Sequence, residues 1–279
     1  MKVGFIDYFL DEWHANNYPQ WLKDASDGSV DVAYAYGMID SPNGGMTTEQ
    51  WCEKYQITRC ATIEEVVEKS DVLIVLSPDN CEMHEELCQI PLRSGKPTYV
   101  DKTFAPDLAT AKRILTIADE SGTPCFSTSA LRYATEYRAV DTDAVCAASL
   151  WGGGGFETYS IHQLEPLVML MKKPAKRVMY LPGEGWLTLS VEFADGRYGT
   201  ITQFEDGSPF VSNICTRKGN HLLHVESDFF HEFIVALVDF FRTGSIKVPH
   251  EETLTVMAVR EAGLQAQQQP GEWVAVAKV

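Results

Sequence analysis

The run VLIVL at residues 72–76 has no polar side chain on either face. A strand of that kind is buried on both sides, which is the condition of an interior strand in a parallel sheet. The segments around it alternate to match. VGFI (3–6), VDVAYAY (30–36), TYV (98–100) and PCFST (124–128) read as strands. TTEQWCEKYQI (47–57), TIEEVVEKS (62–70), CEMHEELCQIPLRSG (81–95) and DLATAKRILTIADESG (107–122) read as helices between them. Thr62 and Glu65 stand at capping-box spacing, and Gly95 and Gly122 supply helix stops. Leu108, Ala111, Leu115 and Ala118 line one face of the last helix. Alternation at this rhythm specifies an α/β fold with a doubly wound parallel sheet.

After residue 130 the pattern changes. WLTLSVEFADGRYGTITQF (186–204) places Leu187, Leu189, Val191 and Phe193 on one face and turns on Asp195-Gly196, a hairpin signal. PFVSNIC (209–215) and HLLHVES (221–227) read as further strands, with helices near 162–172 and over 228–243. The expectation is a Rossmann-like domain over 1–127. An α+β domain follows over 128–279, with a mostly antiparallel open sheet and a C-terminal helix free to pack back on the first domain.

At 279 residues the chain is long enough for two cores. Its net charge of −16 argues against nucleic acid or an anionic membrane as partner, since both require basic surface. No apolar run approaches the roughly 20 residues of a membrane span. Met1-Lys2 leads directly into what reads as a core strand, so the expectation is of no export signal. None of the seven cysteines forms a C-x-x-C pair, and Cys52, Cys88, Cys125 and Cys146 read as small buried hydrophobes. The expected setting is a reducing cytoplasm.

The turn after the first strand is unusual. Dinucleotide-binding domains place a G-x-G-x-x-G turn there, so that backbone N–H groups approach the pyrophosphate. Here the strand runs through Ile6 into Asp7, Tyr8, Phe9, Leu10, Asp11 and Glu12. Asp7, Phe9 and Glu12 fall near the three glycine positions. A carboxylate about 5 Å from a phosphate charge costs about 3 kcal/mol at an effective dielectric of 20. No acid ends VAYAY to take the adenosine ribose; Tyr36-Gly37 stands there, and Asp40 is the nearest. Two paths stay open. In one, the loop 7–17 turns its acids outward and a cofactor is held by His14, Asn16, Asn17, the Ser77-Pro78-Asp79-Asn80 turn and Lys102. In the other, the loop fills the site. Trp13, with acids and amides nearby, suits a sugar face, or it packs under the loop.

The segment from Ser77-Pro78-Asp79-Asn80 through His84, Ser94-Gly95-Lys96-Pro97 and Asp101-Lys102-Thr103 resembles the glucose–fructose oxidoreductase, inositol dehydrogenase and rhizopine-catabolism family (Gfo/Idh/MocA). SALRYATEYR, with Arg132, is similar to that family's crossover after the last Rossmann strand. GGGGFETYSIHQLEPLVML is similar to its second-domain helix entry, with His162 and Glu165 at the His and acid positions. The resemblance implies hydride transfer between NAD or NADP and a sugar, polyol or cyclitol hydroxyl carbon. It implies Lys102 and His162 as the catalytic pair handling the hydroxyl proton. Ile6, Asp7, Ser77, Pro78, Asn80, His84, Asp101, Lys102 and Arg132 would face the cofactor. Trp13, His14, Arg132, Glu157, Thr158 and His162 would face the substrate, and the second sheet would mediate homo-oligomerisation. The alternative is a ligand-binding or regulatory member that has lost the dinucleotide.

The chain departs from the pattern at Thr158, where the family carries an aspartate; Glu157 stands beside it. A threonine cannot hold a proton as a carboxylate does. His221 and His224, with His231 nearby, do not suggest a metal, because strand residues three apart point to opposite faces. Gly152 to Gly155 read as a flexible substrate-side loop.

Overall fold

The computed structural model describes residues Met1–Val279, with the backbone alone at Asn43. The chain divides into two compact units: Met1–Thr128 with Phe233–Pro249, and Ser129–Glu232 with His250–Val279.

The first unit contains β1 (Lys2–Asp7), α1 (Trp13–Ala25), β2 (Asp31–Gly37), α2 (Thr48–Tyr55), β3 (Thr58–Arg59) and α3 (Ile63–Lys69). It continues with β4 (Val72–Val75), α4 (His84–Leu87), β5 (Thr98–Val100), α5 (Leu108–Ser121) and β6 (Cys125–Phe126). The strands form one parallel sheet in the order β3-β2-β1-β4-β5-β6. Chain direction across the sheet reverses between β1 and β4. That switch point is where open α/β sheets hold ligands, at the carboxyl ends of the strands. Val3, Phe5, Ile6 and all of residues 72–76 are buried.

The helix read over 81–95 is broken. It becomes a 3₁₀ turn at Cys81–Met83, the short α4, and a second 3₁₀ turn at Pro91–Arg93. Pro91 has no N–H to continue the ladder. The first unit also takes in Phe233–Pro249, which the 1–127 and 128–279 division assigned to the second domain. Phe233 lies 5.3 Å from the Tyr99 ring and 6.0 Å from Tyr18, and Phe240 lies 4.8 Å edge-on to Phe126. The aromatic face of this returning segment completes the core around β5 and β6.

The second unit contains β7 (Val145–Gly153), α6 (Phe156–Met171), β8 (Ala175–Gly183), β9 (Trp186–Phe193), β10 (Tyr198–Phe204), β11 (Val211–Thr216) and β12 (Gly219–His224). After α7 (Phe229–Thr243), which changes unit at Phe233, come α8 (His250–Ala266) and β13 (Trp273–Ala275). The order is β12-β11-β7-β10-β9-β8-β13. All pairs are antiparallel except β7 with β10, so the sheet is mixed. Leu187, Leu189, Val191 and Phe193 are buried, as the alternation required, with α6 on β7 and β10 and α8 on β8. Across the other face, Trp151, Trp186 and Tyr198 are exposed, and Thr188 and Thr202 sit opposite one another between them. Strands β7 and β8 went unread in the sequence, and α6 starts at Phe156, earlier than 162. Among the described residues, no helix is long and apolar enough to cross a membrane.

Candidate functional site

The carboxyl end of β1 is tied to that of β4. The Tyr8 N–H donates to Ser77 Oγ (3.0 Å), and the Ser77 hydroxyl donates to Asp7 Oδ1 (3.0 Å). Ser77 adopts a left-handed φ of 75° to do so. Asp7 is only 1% exposed, and its Oδ2 has no hydrogen-bond partner among the described residues. Burial holds its carboxyl well above the usual range, and the nearby Asp101 charge adds to that, against the Ser77 bond.

Five residues on, the chain enters α1 with Glu12 as its N-cap. The Glu12 carboxyl accepts from the N–H of His14 (2.6 Å) and from that of Ala15. The first free N–H groups of a helix are a ready anion site, and in dinucleotide-binding domains this helix end faces the pyrophosphate. Here a carboxyl of the same chain takes that place. Burial, then the charges of Asp7 and Asp101, push the Glu12 carboxyl well above its ordinary value.

The remaining loop residues brace one another. Asp11 accepts from the Met46 N–H (2.8 Å) and from Asn16 Nδ2 (3.1 Å). Asn16 Oδ1 accepts from Trp51 Nε1 (2.8 Å) and from the Tyr55 hydroxyl (3.1 Å). Asn17 donates to the Trp13 carbonyl (2.6 Å), and Asp40 accepts the Thr48 N–H (2.8 Å) at the start of α2. The outward-turned path for the acids is thus corrected. Asp7 and Glu12 fold inward, and the amides expected to hold a cofactor hold the loop.

Asp101 follows β5 and is fully buried. Its Oδ2 pairs with His14 Nδ1, and its Oδ1 accepts from the Lys102 N–H (2.8 Å) and the Tyr99 hydroxyl (3.0 Å). Burial works against its charge. The His14 charge and bond, then Lys102, outweigh that and hold the carboxyl below its usual value. Lys102 is half-buried, with Nζ 3.4 Å from the Pro78 carbonyl, and the Lys102–Thr103 peptide is cis. His14 stacks on Tyr18 at 5.1 Å, and its edge meets Trp13, which is 53% exposed. His84 is buried between two carbonyls, Phe104 O (2.9 Å) and Leu76 O, and burial lowers its pKa. It ties β4 to the segment after β5. Ile6 is a core side chain, and Asn80 donates to Glu82 (3.0 Å).

In the second unit, His162 on α6 has Nδ1 2.8 Å from Ser129 Oγ. Its ring lies 5.5 Å from Tyr159 and 6.4 Å from Phe210, both edge-on. Tyr159 lies over Gly154, whose φ of 92° and lack of a side chain admit the ring. Glu157 and Thr158 are exposed, and the Glu157 carbonyl accepts from Arg260 Nε (3.1 Å) and Nη2 (2.9 Å). The buried Arg132 guanidinium sits between Glu165 (3.1 Å) and Glu252 (2.8 Å). Burial opposes its charge, and the two carboxylates outweigh it and raise its pKa. Arg132 therefore joins the 3₁₀ turn Ala130–Tyr133 to α6 and α8. Among the described residues, no group of three or more His, Cys, Asp or Glu side chains is arranged to hold a metal ion.

Two groupings emerge. Asp7, His14, Ser77, Pro78, Asp101 and Lys102 come together at the carboxyl edge of the first sheet, while His162, Glu157, Thr158 and Arg132 lie on or against α6. Tyr18, Tyr99, Ser129 and Glu252 belong to these groupings and were not singled out in the sequence. Ser129 and Glu252 meet partners 33 and 120 residues away, so no local signal marks them, whereas Tyr18 and Tyr99 lie close along the chain to His14 and Asp101.

Residues 39–129 match the family described as "GFO_IDH_MocA: Oxidoreductase family, NAD-binding Rossmann fold". That segment is similar to the Gfo/Idh/MocA family. The match begins after β2 and does not include β1 or α1. Solved structures share the fold along the whole chain. Myo-inositol dehydrogenase from Lactobacillus casei, in complex with NAD(H) and myo-inositol, is similar with a TM-score of 0.84 at 12% identity, covering 100% of this chain and 97% of that one. A probable dehydrogenase from Thermotoga maritima gives 0.80 at 13% identity, covering 99% and 98%. An oxidoreductase from Agrobacterium radiobacter, in complex with NAD+, L-tartaric acid and magnesium, gives 0.77 at 14%, covering 99% and 98%. No curated protein sequence matches the chain.

The residues of the β1–α1 turn do not fit the pyrophosphate of this NAD-binding family's dinucleotide. The helix N–H groups that would receive it already bond Glu12, and Asp7 presents a further carboxyl beside them.

Proposed function

We propose that this chain binds a small sugar, polyol or cyclitol as a ligand-binding or regulatory member of the Gfo/Idh/MocA family, without a dinucleotide at α1. The observation that carries this reading is the Glu12 carboxyl on the His14 and Ala15 N–H groups. Half-exposed Trp13 and half-buried Lys102 in the first unit supply aromatic and polar groups suited to a hydroxyl-rich ligand. The myo-inositol bound by the L. casei relative supports that ligand class.

The test is a titration of the purified protein into NADH and NADPH, followed by nicotinamide fluorescence, together with a thermal-shift screen of sugars and cyclitols. A ligand at 100 times its Kd stabilises by about 2.7 kcal/mol, which such a screen detects. Polyol stabilisation without dinucleotide binding is the expected result; micromolar binding of either nucleotide overturns the reading.

A second reading is NAD(P)-dependent hydride transfer at a CH–OH carbon. It is favoured by Lys102, half-buried at the carboxyl end of β5, where a side chain can take a hydroxyl proton. Under that reading Lys102→Ala and His162→Ala each abolish turnover. Full activity in both variants removes this mechanism. We also propose that the uncovered face of the second sheet pairs with another copy of the chain. The burial of Cys52, Cys60, Cys88 and Cys125 as small apolar side chains supports a cytoplasmic setting, and the charge of −16 supports a small-molecule partner over nucleic acid.

A further inference from the structure

We infer that Glu12 is the specificity-determining residue of the first unit: a built-in carboxyl on the start of α1 that closes an otherwise usable phosphate site. This rests on the reading above and deepens it by naming what excludes the dinucleotide.

Three observations carry the inference. α1 runs for 13 residues, and the N–H groups of its first turn have no carbonyl partner within the helix. Two of these, on His14 and Ala15, are already bonded, and to the side chain of one residue. The ends of β1 and β4 meet beside them at the switch point, through Asp7, Tyr8 and Ser77. The architecture that receives a phosphate is therefore present, and the occupant is covalently part of the chain. An external phosphate would need the same two N–H groups and would have to displace the Glu12 carboxyl from them. Asp7 adds a second barrier. It lies close enough for its charge to act on Glu12, and its Oδ2 is buried without a donor among the described residues.

Charge and volume make separable predictions. Glu12→Gln keeps the volume and a capping oxygen, so the site stays closed. Glu12→Gly removes both, and glycine is an accepted N-cap. Asp7→Asn combined with Glu12→Gly removes the second carboxyl as well.

The experiment is calorimetric titration of inorganic pyrophosphate into the full-length wild type and these three variants at pH 7.5, with folding checked by circular dichroism. Amide NMR of His14 and Ala15 locates any binding. Expected are no binding to wild type or Glu12→Gln, binding to Glu12→Gly at least about tenfold tighter than to wild type, and tighter binding again to the double variant. The His14 and Ala15 amides shift only in the variants that bind. Should Glu12→Gly fail to fold, Glu12→Ala, which likewise lacks both the volume and a capping oxygen, takes its place in the comparison. Wild-type binding equal to that of the glycine variant overturns the inference, as does a folded double variant that takes up no pyrophosphate. Failure of polyols to bind wild type would count against the ligand-binding reading alone and would leave this comparison standing.

Discussion

Each oxygen of Asp101 is engaged inside the first unit, by His14 on one side and by Tyr99 and the Lys102 N–H on the other. Removing one member of a buried charged pair leaves the other uncompensated, which costs about 3–5 kcal/mol. Asp101→Ala is expected to lower the unfolding free energy by about that much in urea titrations; a loss under about 1 kcal/mol would show the pair to be peripheral. Asp7 behaves in the opposite sense. Its carboxyl is raised above the ordinary Asp value of 3.8. Below that value the group is protonated in both states and costs nothing. As pH climbs toward the folded value, only the unfolded chain ionises, and the fold loses stability by at most about 1.4 kcal/mol per pH unit. The stability of Asp7→Asn relative to wild type is therefore expected to rise between pH 4 and pH 8, read as the difference in Tm. A flat difference means that Asp7 is ionised in the fold.

At the scale of elements, legibility followed the range of the interactions. β4 could be read because VLIVL has no polar face, and α5 because Asp107 caps it and Gly122 stops it within its own sequence. β7 was hidden because VCAASLWGG, mostly small residues with Ser149 as its one hydroxyl side chain, shows no polar–apolar alternation, and β8 because its end, Tyr180 to Gly183, is largely exposed. The acids of the β1–α1 turn were visible as an obstacle to phosphate. That Glu12 turns back onto its own helix was not, since glutamate is an uncommon N-cap. His14 with Asp101, 87 residues apart, had no local signature at all. Glu136 is a similar long-range clasp, accepting from the N–H groups of Glu226 and Ser227 and from the Ser227 hydroxyl ahead of α7. Burial opposes its charge, but these bonds hold its pKa at about 2. Its stabilising contribution is complete above the ordinary Glu value of 4.5 and disappears as pH falls toward 2. The Tm gap between wild type and Glu136→Gln is expected to narrow over that window. A gap independent of pH would place the effect elsewhere.

For the molecule as a whole, two consequences concern surfaces and continuity. The uncovered face of the second sheet carries Trp151, Trp186 and Tyr198 in the open, an apolar area of the kind that marks an interface. Light scattering after size exclusion is expected to give an oligomer for wild type and a smaller species for Trp186→Glu; a monomeric wild type removes the pairing. The first unit is discontinuous in sequence, because Phe233 and Phe240 complete its core against Tyr99 and Phe126. A fragment ending at residue 128 is therefore expected to lack a cooperative thermal transition, and one that unfolds as sharply as the full chain would show the returning segment to be dispensable. The same discontinuity orders events on the ribosome. At about 5–20 residues per second, the nascent first sheet waits on the order of ten seconds for its closing aromatic segment. During that wait its unsealed edge is a natural client for a chaperone, so the unit begun first is finished nearly last.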